Sequence, residues 1–78
     1  VSAAGLSIMG CLTEISARLT DAAAIAKGAV ACAESGSERE AVRIAMDLDE
    51  LLHQVGTLHG AMGLLGRMGR ETERTAPA

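Results

Sequence analysis

Glu34-Ser35-Gly36-Ser37-Glu38-Arg39-Glu40 decides the fold, because it divides two long apolar ladders and carries what is needed to end one helix and begin another. Gly36 can take the left-handed backbone that closes a helix. Ser37 and Glu40 have the spacing of a capping box, in which the serine hydroxyl accepts from a free amide and the glutamate answers the serine's own amide. Glu38 and Glu40 also put two negative charges at the positive end of the second helix.

Upstream of this turn, Ile8, Leu12, Ile15, Leu19, Ala22, Ala26, Ala29 and Ala33 recur at alternating intervals of four and three. That spacing predicts a heptad seam on a helix over residues 5–34. Cys11, Ile25 and Val30 flank the seam and widen it, while Thr13, Glu14, Thr20, Asp21 and Lys27 lie on the opposite face, which can meet water. Glu14 and Arg18 have the spacing of an i,i+4 ion pair.

Downstream, Ile44, Leu48, Leu51, Val55, Leu58, Met62 and Leu65 repeat the same intervals and predict a second helix over residues 38–68. Two seams joined by a turn at 35–37 must pack antiparallel, as a helical hairpin. Folding at Gly36 brings Glu50 level with about residue 22. Ala41, Ala45 and Leu52 make the second apolar face wider than one helix can cover, so the hairpin is expected to dimerise into a four-helix bundle. Residues 70–78 are polar, lack a ladder and are expected to fray.

Composition points the same way. A chain of 78 residues makes one domain with a marginal core of its own. It is 49% hydrophobic without any Phe, Tyr or Trp, so burial must come from aliphatic side chains and close, Ala-lined helix contacts. The net charge is −3, the seven basic residues are scattered, and no aromatic is available for base stacking, which excludes an ordinary nucleic-acid surface. The longest uncharged run, residues 51–66, is too short and too polar for a membrane span. Cys11 and Cys32 lie on one helix about 31 Å apart and cannot bridge within a chain. They are expected as small reduced thiols in a cytoplasmic protein, the sharper alternative being a Cys11 to Cys32 bridge between chains of an antiparallel dimer.

Gly56, Gly60, Gly63, Gly66 and Gly69 are costly inside a helix and need a reason. Either another helix crosses closely at Gly56-x-x-x-Gly60, or the second helix loosens beyond Val55, and the unbroken Leu58, Met62, Leu65 ladder tips the balance slightly toward a real helix.

Candidate chemistry is sparse. Glu50 and His53 have the E-x-x-H spacing of carboxylate-bridged metal bundles, but Asp21 and Glu14 are poorly placed to complete a site, and a solvated face is the plainer reading. His53 could also serve as a phosphoacceptor on a four-helix bundle, whereas His59 flanks the seam and reads as a packed histidine. No catalytic motif is present, and no cofactor is implied. The reading is therefore a non-catalytic interaction module, a regulatory, scaffold or docking protein of a kind common among small bacterial proteins. It would pair with itself and could also meet another helical protein. The expected interface residues are Leu48, Leu51, Leu52, Val55, Leu58 and Met62, with Gly56 and Gly60 allowing close approach. Alternatives are a metal-binding or redox bundle using Glu50 and His53, and a histidine phosphotransfer protein using His53.

Overall fold

The computed structural model describes residues 7–75, with side chains through Glu71. Among these residues all regular structure is helical, in the order α1 (Ile8–Glu34), α2 (Glu38–Ala45) and α3 (Leu48–Thr75).

Helix α1 begins where Ser7, in an extended conformation, accepts a hydrogen bond from the Gly10 amide at 2.9 Å. Serine ahead of an apolar ladder is a standard start signal, and it begins the helix at Ile8; the expected bound at residue 5 precedes the described residues. At the other end Gly36 adopts φ 96°, the Gly36 amide donates to the Ala33 carbonyl at 3.0 Å, and the Ser37 amide donates to the Cys32 carbonyl at 2.9 Å. Those two bonds form a Schellman motif.

The motif also explains why the expected capping box is absent. The Ser37 amide that Glu40 was to answer is already bonded to Cys32, Ser37 makes no side-chain cap, and Glu40 instead pairs with Arg43 one turn on.

The second arm is two helices rather than the single one expected over 38–68. At Met46 and Asp47 the chain tightens: the Asp47 amide donates to Ile44 at 3.1 Å and the Asp49 amide to Met46 at 3.2 Å, both i to i−3 bonds. Asp is disfavoured within a helix and favoured at its start, so Asp47, Asp49 and Glu50 suit the beginning of α3 better than the middle of a longer helix. The seam survives this turn, with Ile44 and Leu48 both half-buried. Helix α3 then runs through all five glycines to Thr75, in keeping with the continuous helix that the Leu58, Met62, Leu65 ladder favours over a loosening beyond Val55, and residues 70–75 are helical rather than frayed. The rest of the expected frayed tail, residues 76–78, falls outside the described residues.

Helix α1 packs against both α2 and α3. On α3 the inward line is the expected one: Leu48, Leu51, Val55, Leu58, Met62 and Leu65 are each half-buried. On α1 it is not. The inward line is Cys11, Ile15, Arg18, Ala22, Ile25, Ala29 and Cys32, all buried or half-buried, whereas Leu12 and Leu19 of the expected seam are 45% and 47% exposed. The two lines share Ile15, Ala22 and Ala29 and differ by a rotation of the helix. Cys11 at 1% exposure thus belongs to the hairpin's own seam, which removes it from reach of a bridge to a second chain.

The result is thin. The radius of gyration is 18.0 Å, against about 11.5 Å for a compact chain of this length, and the extents are 65 × 20 × 16 Å.

Candidate functional site

The hairpin has two broad faces that the inward lines separate. On one of them Arg18, half-buried and aimed across the seam, donates from Nε to Gln54 Oε1 at 2.8 Å. Its Nη1 binds the Glu14 carboxylate, as the spacing predicted, and also the Glu14 carbonyl at 3.3 Å. Gln54 in turn donates from Nε2 to Glu50 Oε1 at 3.0 Å. Four side chains from both arms therefore form one polar chain over the seam. Beside it Arg18, His53, Gln54, Thr57 and Leu58 line an open depression of about 390 Å³.

This arrangement constrains the chemistry considered for Glu50 and His53. Glu50 already accepts a hydrogen bond from Gln54, and among the described residues no three His, Cys, Asp or Glu side chains converge as metal ligands. His53 is exposed at the depression, and His59 is exposed rather than packed.

The other broad face is apolar. Leu12, Leu19 and Val30 project from α1, with Val30 at 56% exposure, and Leu52 projects from α3 at 54%. Gly56 and Gly63 lie along the same side of α3, and a Cβ built on either meets nothing within 4 Å. Gly60 is equally open but falls on the outermost line of the helix, at seven-residue spacing from His53 and Arg67.

The expected interface residues consequently divide. Leu48, Leu51, Val55, Leu58 and Met62 are half-buried in the hairpin's own packing, whereas Leu52, Gly56 and Gly60 are exposed. Sequence reasoning did not place Arg18 and Gln54 in contact, although a signal existed: each is 18 residues from Gly36.

Glu40 and Arg43, near the turn, make the other ion pair described. The hydrogen bond from Arg43 holds the Glu40 carboxyl below its ordinary value of 4.5, outweighing an opposing effect of desolvation, with the guanidinium charge adding least. Both groups are exposed enough that the pair marks local helix stabilisation rather than a reactive site.

No helix among the described residues is long and apolar enough to cross a membrane. No family model matches the chain, and neither the curated proteins nor the solved structures compared with it gave a match.

Proposed function

We propose that this chain is a non-catalytic helical interaction module that works as a homodimer, two hairpins closing into a four-helix bundle. One observation carries the reading. Among the described residues the buried apolar side chains are Cys11, Ala22 and Ala41, all small, while larger ones such as Leu12, Leu19, Val42, Met46, Leu52 and Leu64 are 45% exposed or more. A chain that orders two long arms loses roughly 1–2 kcal/mol of backbone entropy per residue. Three small buried side chains offset little of that, and a second hairpin supplies the missing apolar cover.

The experiment is solution mass by light scattering with refractive-index detection, which needs no aromatic absorbance. A mass twice the 8.0 kDa of one chain is expected. A monomer at every concentration would overturn the homodimer and leave the apolar face to a different protein. In the dimeric bundle the polar chain of Glu14, Arg18, Gln54 and Glu50 faces outward, where another helical protein could meet it.

A further inference from the structure

We infer that two copies meet through the apolar broad face, with Leu12 and Leu19 of each α1 seated on the surface around Gly56 and Gly63 of the partner's α3. This rests on the homodimer reading above and specifies its face and orientation.

Area gives the first reason. The chain exposes 5851 Å², roughly 1,400 Å² more than a folded monomer of its mass, for which the scaling relation gives roughly 4,450 Å². A standard dimer interface buries about 800 Å² per partner. The excess covers that need with room to spare, and a hairpin only 16 Å thick in its thinnest direction has no other layer to absorb it.

Pattern says which face. Leu12, Leu19 and Ala26 recur at seven-residue intervals, each one residue beyond an inward residue of α1, namely Cys11, Arg18 and Ile25. On α3, Leu52 and His59 stand in the same relation to Leu51 and Leu58. In an antiparallel pair these two lines run along the same side. Along α1 that side carries no charged residue, and along α3, among the residues whose side chains are described, its only carboxylate is Asp49. Glu14, Asp21 and Glu50 all fall on the opposite side. Copies with a net charge of −3 can therefore meet here with little repulsion.

Height sets the orientation. Arg18 pairs with Gln54, so residues equidistant from Gly36 are level, and Leu12 is level with position 60, between Gly56 and Gly63. A two-fold axis parallel to the helices preserves heights and lays α1 on the partner's α3, so that each Leu12 enters the open surface between two glycines. A perpendicular axis would set Leu against Leu and Gly against Gly and leave that surface unfilled. Gly60, on the outermost line, stays free in the parallel arrangement.

The test compares the dimer dissociation constants of variants by sedimentation, with helix content checked by circular dichroism. Leu at any of these glycines improves helix propensity, so loss of dimer cannot be ascribed to a weakened helix. Gly56→Leu and Gly63→Leu should weaken the dimer by about tenfold or more. Gly60→Leu should stay within about threefold of wild type. Adding Leu12→Ala to Gly63→Leu should recover most of the loss, because the two side chains would share one space across the interface. A dimeric wild type whose Gly56→Leu and Gly63→Leu variants bind undiminished would overturn the face while leaving the homodimer standing. Losses that simply add in the double variant would overturn the parallel orientation. A monomeric wild type would overturn both readings.

Discussion

Arg18 and Gln54 are joined by a 2.8 Å hydrogen bond although they lie 36 residues apart, and Gly36 stands midway between them. The bond fixes the sliding register of two arms whose apolar contacts alone would tolerate displacement by a heptad. Gln54→Ala should lower stability by about 1 kcal/mol, and Arg18→Ala by a similar amount. The double variant should lose less than the sum, because both singles break the same tie. Urea unfolding followed by circular dichroism, at one protein concentration so that association does not move the midpoint, checks this. Strict additivity would mean that the tie contributes nothing.

The same pair shows what the sequence could and could not tell. The turn was legible, since Gly36 between two ladders has one economical explanation, and the fold about it fixes which heights meet. The rotation of α1 was not. Its apolar stripe runs from Cys11, Arg18 and Ile25 around to Leu12 and Leu19, wider than one neighbour can cover. A reading by hydrophobicity selects the edge with the leucines and rejects the edge with an arginine. The hairpin takes the other edge, because Arg18 there finds Glu14 and Gln54 and its aliphatic stem can lie along the seam. The tightened turn at Met46 and Asp47 was also missed, since the ladder from Ile44 to Leu48 passes through it in phase.

Gly36 and Gly28 should respond to alanine with opposite signs. Gly36 holds φ 96°, where a Cβ is strained, so Gly36→Ala should cost about 1 kcal/mol, and Gly36→Asn less. Gly28 lies within α1 and a Cβ there meets nothing within 4 Å, so Gly28→Ala should raise stability by up to about 1 kcal/mol. Thermal melts of the three variants decide it. A stabilising Gly36→Ala would mean that the turn is not closed by a left-handed residue.

Acid should erode the start of the second arm through Glu40. Its carboxyl titrates below the ordinary 4.5 because Arg43 binds the ionised form, so the pair's contribution is complete above that value and is lost as pH falls through the lowered one. At neutral pH, Glu40→Gln should be slightly less stable than wild type. The difference should shrink once pH drops below 4.5 and vanish beyond the lowered pKa. Added salt should reduce it as well, since the pair is exposed. Melting temperatures of both proteins across the acid range give the comparison, and a gap that widens on acidification would refute the assignment.

The two thiols should separate cleanly in a labelling experiment. Cys11 is 1% exposed in the seam between the arms, while Cys32, near the turn, is only half-buried. A thiol must be reached as thiolate by the reagent, and Cys11 can be reached only when the arms part. With a disulfide reagent in excess, the native protein should therefore show one thiol reacting promptly and a second reacting at the rate of opening. Urea below the unfolding midpoint should accelerate only the slow phase. Cys32→Ser should abolish the fast phase and leave the slow one, and Cys11→Ala should do the reverse. This assignment follows from the rotation of α1: were the leucine edge turned inward instead, Cys11 would lie at the margin of the seam and both thiols would react together. Two equal fast phases would thus return α1 to the rotation that hydrophobicity alone suggests.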